Sequence, residues 1–187
     1  MAKRVFIIHG WGSNPDSGWI PWLKKALMKK GFQVLTPAMP NTYRPKKEAW
    51  IKHIAKIIGN VDKQCYFVGH SLGCIAILRY FESLKREEEV GGCILIGGPL
   101  DNRGYYHELD SFYIKPIKWD AIKLHCKKFI AIYSNDDYYV PLYHAGVLKK
   151  RLNAELVIKH GMKHFSGSDG FTKLPIALES VLKLCKA

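Results

Sequence analysis

Cys65-Tyr66-Phe67-Val68-Gly69-His70-Ser71-Leu72-Gly73 is the stretch on which the reading of this chain turns. Its first four residues form a short apolar run of the kind that makes a buried strand. The residues from Ile75 to Leu84 read as a helix. Between them, Gly69-His70-Ser71-Leu72-Gly73 matches G-x-S-x-G. In a strand–turn–helix context this pattern holds a serine on a sharp turn with its hydroxyl exposed. The glycines permit close backbone approach, and the amide after the serine points at a developing oxyanion. The plainer alternative is a tight turn whose serine only caps the helix.

Working outward, the same order of short strand and amphipathic helix repeats along the chain. Val5–Ile8, Phe32–Leu35, Cys93–Ile96, Phe129–Tyr133 and Leu156–Ile158 read as further strands. Helical spacing joins Trp19, Trp22, Leu23, Ala26 and Leu27, then Trp50, Ile51, Ile54, Ile57 and Ile58. Pro45 and Pro116 are expected to open helices, one helix falls near residues 142–152, and a last one follows Leu174. Apolar strands without alternation belong in a sheet covered on both faces. The expectation is an α/β protein, a three-layer sandwich around a mostly parallel sheet of about six strands. Residues 1–187 read as one domain. The stretch 99–115 has no clear period and is the candidate short lid, since it follows a strand's carboxyl end, where such sheets bind ligands.

Composition removes several classes. The 187 residues are 48% apolar and 24% charged, a globular balance that excludes a disordered chain. No run approaches the roughly 18 apolar residues of a membrane span, and no signal peptide is visible. The five cysteines form no C-x-x-C pair and read as reduced, which points to the cytoplasm. No His/Cys cluster has metal-ligand spacing, so neither metal nor cofactor is expected. Lys and Arg number 29 against 16 Asp and Glu, a net charge of +13. These cations fall mainly on helix exteriors, and no nucleic-acid-binding motif accompanies them, so no specific nucleic-acid partner is expected. The oligomeric state is open.

A serine nucleophile needs a base, and the base needs an orienting acid, in the chain order Ser, then Asp or Glu, then His. Asp137 is chosen as the acid because it follows the fifth strand and stands four residues before Pro141. Asp136 is the fallback, with turn formation as its plainer role, and Asp101 is a weaker candidate. For the base the choice is His164, which follows the sixth strand by several residues. His160 abuts that strand and reads as structural, as do His9 and His70. The backbone amides of Trp11 and Leu72 are the expected oxyanion donors. Tyr138, Tyr139 and Phe165 are expected to contact substrate, and Trp11, Tyr105, Tyr106, Phe112 and Tyr113 belong to the same aromatic group around the site. A satellite core beneath the lid is the competing role for most of these rings.

Taken together, these residues resemble the small α/β-hydrolases of the YdeN and retinoblastoma-binding serine hydrolase family. The resemblance rests on Ile8-His9-Gly10-Trp11, Trp19-Ile20-Pro21-Trp22-Leu23-Lys24-Lys25, Met39-Pro40-Asn41-Thr42, the Gly69–Gly73 elbow, Trp119 with Ile122-Lys123, Asp136-Asp137-Tyr138-Tyr139-Val140-Pro141, and Gly161 with His164-Phe165. It implies an α/β-hydrolase fold with a small or absent cap, and it places Ser71, Asp137 and His164 at the triad positions. The chain departs from the family in its strong basicity. The expected function is a serine hydrolase acting on a carboxylic ester, thioester or activated amide, with a small-molecule acyl substrate. The alternative is a non-catalytic binding protein on a hydrolase scaffold, with anionic partners drawn by the +13 surface.

Overall fold

A computed structural model of the protein describes residues 2–102 and 106–186. Six strands form one sheet: β1 (Arg4–Ile8), β2 (Gln33–Leu35), β3 (Cys65–His70), β4 (Gly92–Ile96), β5 (Phe129–Ser134) and β6 (Glu155–Lys159). All neighbouring pairs are parallel, in the order β2-β1-β3-β4-β5-β6. Six helices alternate with them: α1 (Ile20–Met28), α2 (Lys47–Ile58), α3 (Leu72–Phe81), α4 (Trp119–His125), α5 (Tyr143–Leu152) and α6 (Pro175–Lys186).

Alternate strand residues feed two separate cores, because successive side chains point to opposite faces. Phe6, Ile8, Phe67, Leu95, Ala131 and Tyr133 pack on the face covered by α2, α3, α4 and α5. Val5, Ile7, Tyr66, Val68, Ile94 and Ile132 pack on the other face, under α1 and α6. This burial on both sides explains why the strands read as unbroken apolar runs.

The topology also fixes where a site can form. β1 pairs with β2 on one side and with β3 on the other, so the strand order reverses between them. Chains leaving β1 and β3 diverge to opposite faces and leave a crevice at their carboxyl ends. Both Gly10-Trp11 and Ser71 emerge into that crevice.

Several elements differ from the sequence expectation: α2 begins at Lys47, two residues past Pro45, and α3 spans Leu72–Phe81 where the spacing predicts Ile75–Leu84. Pro116 does not open α4; the helix begins at Trp119. The buried Arg79 side chain collects the carbonyls of Phe112, Lys115 and Pro116, and an Arg-bound carbonyl is diverted from an intrahelical ladder. Within the aperiodic stretch, His107–Phe112 forms a 3-10 turn whose Leu109 and Phe112 are buried. Tyr105 lies outside the described residues.

Candidate active site

The elbow between β3 and α3 is built by steric necessity. Ser71 has φ 53° and ψ −123°, in the region unfavourable to a side chain. A Cβ on Gly73 would lie 2.2 Å from the Ile8 carbonyl oxygen, and one on Gly69 would lie 2.8 Å from the Cys74 backbone. Neither position tolerates any other residue at this spacing. Ser71 precedes the first residue of α3, yet its side chain makes no capping hydrogen bond. Its hydroxyl is thus not spent on the plainer role, and it faces a cavity of about 520 Å³.

Asp137 and His164 come together from the loops after β5 and β6. His164 Nδ1 lies 2.9 Å from Asp137 Oδ2. The Asp137 side chain is fully buried, and its Oδ1 accepts the backbone N–H groups of Tyr139 and Val140, each at 2.9 Å. Such bonds fix the direction of the carboxylate. Gly97, at φ +53°, makes room for the pair: a Cβ there would stand 3.4 Å from Asp137 Oδ2 and 3.5 Å from His164 Nδ1.

The turn carrying His164 is tied on every side. Lys163 and Phe165 both have positive φ, so the backbone doubles tightly around the histidine. The His164 N–H donates to Asp169 Oδ2 at 3.2 Å, and the His70 Nε2 donates to the His164 carbonyl at 2.8 Å. Asp169 also closes a capping box with Ser166 and accepts the Tyr138 hydroxyl at 2.9 Å. Sequence reading passed over Asp169, although Ser166-Gly167-Ser168-Asp169 carries the capping-box spacing with Asp in place of Glu.

The other candidates take up separate positions. Asp136 is exposed and accepts Ser134 Oγ at 2.5 Å and the Lys163 N–H at 3.0 Å. Its bond from Ser134 draws its carboxyl below the usual range. Asp101 accepts the Tyr143 hydroxyl at the cavity rim. His160 is exposed at the end of β6 and does not line the cavity. Tyr139 lines the cavity and stands edge-on to His164, ring centroids 5.1 Å apart. Tyr138 is not among the lining residues; it braces Asp169 instead. Phe165 lines the floor with a fully buried ring, and its carbonyl accepts Trp19 Nε1 at 2.9 Å.

His9 and His70 are buried and their hydrogen bonds define their tautomers. The His9 Nε2 accepts the Met39 N–H at 3.1 Å, so its Nδ1 carries the proton and donates to the Gly10 carbonyl at 2.9 Å. Burial lowers the His9 pKa. Burial first, and then the neighbouring His164 ring, pushes His70 down to about 4. Gly10 lies close against the elbow, its pro-Cβ direction 2.9 Å from Ser71 Cβ.

A family model described as serine hydrolase matches residues 5–183. YdeN of Bacillus subtilis, a protein named as a hydrolase, is 36% identical over 180 residues, covering 96% of this chain and 94% of its own. The serine hydrolase RBBP9 of Rattus norvegicus is 29% identical over 176 residues, covering 93% of this chain and 91% of its own. The crystal structure of the Bacillus subtilis ydeN gene product superposes with a TM-score of 0.94 at 33% identity, covering 100% of both chains. The fold is that of the α/β-hydrolases, and the chain belongs to the serine hydrolase family.

Proposed function

We propose that this hydrolase cleaves a carboxylic ester, thioester or activated amide through an acyl-enzyme on Ser71. Ser71 Oγ attacks the substrate carbonyl carbon while His164 Nε2 takes the hydroxyl proton. Asp137, on the far ring nitrogen, holds the imidazole in the required tautomer and stabilises the imidazolium that forms. The tetrahedral oxyanion is met by the N–H groups of Trp11 and Leu72. Collapse breaks the bond to the leaving group, which departs with the proton from His164. A water molecule, deprotonated by His164, then attacks the acyl-enzyme and releases the acid and free Ser71. Leu72 is the first residue of α3, where backbone N–H groups have no partner within the helix and the macrodipole favours negative charge. The peptide joining Gly10 to Trp11 supports the second donor, because His9 and Ser13 both donate to its carbonyl and so aim its N–H the other way.

In this reading, residues 1–187 work as one hydrolase unit with 99–115 as its short lid. The observation that carries the proposal is the 2.9 Å bond between His164 and the fully buried Asp137, in the cavity that the strained Ser71 enters. Fluorophosphonate labelling tests it. The wild type is expected to be labelled and Ser71→Ala unlabelled. A wild type that resists labelling would count for a binding role on the same scaffold.

A further inference from the structure

The proposed acid and base sit on separate loops, after β5 and β6, and three consecutive residues of the first loop bond to the second. Asp136 Oδ1 accepts the Lys163 N–H at 3.0 Å, and Asp137 Oδ2 lies 2.9 Å from His164 Nδ1. The Tyr138 hydroxyl donates to Asp169 Oδ1 at 2.9 Å. The other oxygen of Asp169 accepts the His164 N–H and the Ser166 N–H, each at 3.2 Å, and the Ser166 hydroxyl at 2.7 Å. One carboxylate therefore grips the backbone of His164 through Oδ2 and the loop of Asp137 through Oδ1.

The turn that carries His164 requires such a tie. Lys163 at φ 44° and Phe165 at φ 55° flank the histidine, and both hold a side chain in the left-handed region. Conformations of this kind persist only where surrounding bonds over-determine them. The Lys163 N–H is taken by Asp136 and the Phe165 N–H by the Met162 carbonyl at 2.9 Å, which leaves the His164 N–H for Asp169. Burial acts to raise the Asp169 carboxyl. The bonds from Ser166 and Tyr138, joined by those from the Ser166 and His164 backbone, outweigh burial and hold it below the ordinary value. An ionised carboxylate makes the stronger class of hydrogen bond.

The Asp137 bond fixes the imidazole at one ring atom. Where Nε2 falls relative to Ser71 depends also on the backbone that carries the ring, and a misplacement of about 1 Å can cost about 10²-fold in rate. Resting on the reading of Ser71 and His164 as nucleophile and base, we propose that Asp169 is a positioning residue for the reaction: with Tyr138 it clamps the base loop to the acid loop and sets where His164 Nε2 meets Ser71 Oγ. Asp169 is not among the described residues that line the cavity, so its effect belongs in the rate and not in substrate binding.

Turnover of p-nitrophenyl acetate by Asp169→Ala, Asp169→Asn and Tyr138→Phe tests this, with the fold of each variant checked by circular dichroism. Asp169→Ala is expected to lower kcat by about 10²-fold with KM within about threefold. Asparagine keeps an oxygen for the backbone N–H groups and an amide N–H for the Tyr138 hydroxyl. Asp169→Asn is therefore expected to recover about tenfold or more of that loss. Tyr138→Phe gives up only an exposed hydroxyl, and its kcat is expected to fall about fivefold, the scale of one hydrogen bond. An unchanged kcat in Asp169→Ala, a loss carried by KM, or an asparagine variant as slow as the alanine one would overturn the proposal. Should Asp169→Ala not fold, Tyr138→Phe turning over at the wild-type rate would overturn it by itself. Fluorophosphonate labelling of the wild type separates the two levels. Absent labelling removes the nucleophile reading, whereas labelling with variant rates unchanged removes only the role of Asp169.

Discussion

The His70 ring reaches across ninety-four residues of sequence to the backbone of His164, donating its Nε2–H to that carbonyl at 2.8 Å. The two imidazoles lie 5.1 Å apart. The residue preceding the proposed nucleophile therefore holds the backbone of the proposed base. His70 is a positioning residue in this scheme, and it does its work as a neutral ring.

That neutrality gives a stability profile. The folded pKa of His70 is about 4, against an ordinary value of 6.5. The unfolded chain takes up a proton first as pH falls, so the contribution is complete above 6.5 and is lost between 6.5 and 4. Over that window the loss from this single group is about 3 kcal/mol. Urea unfolding at pH 7.0 and 4.5 should show it in the wild type, and His70→Gln should lack that component. Equal acid sensitivity in both proteins would assign the effect elsewhere.

The two neighbouring aspartates separate acid from scaffold. Asp137→Asn keeps the shape but destroys the charge that selects the His164 tautomer, and should lower kcat by about 10⁴. Asp136→Asn, at an exposed carboxylate bonded to Ser134 and Lys163, should cost less than about tenfold. Steady-state turnover of one activated ester compares them directly; a larger loss at Asp136 would reverse the assignment.

Ser71→Ala should lower turnover by about 10⁴ or more while leaving the fold intact. Its far-ultraviolet circular dichroism should overlay that of the wild type. Near-native turnover in this variant would remove the acyl-enzyme mechanism altogether.

His9 should matter to rate rather than to binding. Its Nδ1–H fixes the Gly10 carbonyl and, through the planar peptide, the Trp11 N–H. His9→Phe should reduce kcat by about 10²-fold, the scale set by loss of one oxyanion donor, with KM changing far less. A rise in KM at constant kcat would mean that the ring shapes the substrate site and leaves the donor where it is.

Arg79 is the structural counterpart of these positioning groups. Its guanidinium is 4% exposed, pairs with Glu82 at 2.9 Å, and gathers carbonyls from the segment between the 3-10 turn and α4. Arg79→Ala removes the donor shared by the Phe112, Lys115 and Pro116 carbonyls and by the half-buried Glu82, and should destabilise by about 3 kcal/mol or more. In a chain of this size that lowers Tm by at least about 6 °C, read by calorimetry.

Much of this was legible in the chain of letters. Unbroken apolar strands announced a sheet buried on both faces, and Gly69, Ser71 and Gly73 announced the elbow, because close backbone approach excludes any other residue. Asp137 and His164 stood out by their place after β5 and β6, and the structure brings them to hydrogen-bonding distance. The supporting contacts were hidden for a physical reason. The bonds from His70 to His164, from Met39 to His9 and from Arg79 to Pro116 join residues far apart in sequence, so no periodicity records them.

The 2.2 Å approach at Gly73 has an evolutionary reading. The clash it avoids is with the β1 backbone, so the demand for glycine comes from architecture and persists whatever residue occupies position 71. A descendant that had lost its nucleophile would still have to keep both elbow glycines to fold. In surveys of this family the glycines thus mark ancestry, while under the proposed mechanism the residue between them, read together with positions 137 and 164, distinguishes a working enzyme from a retired one.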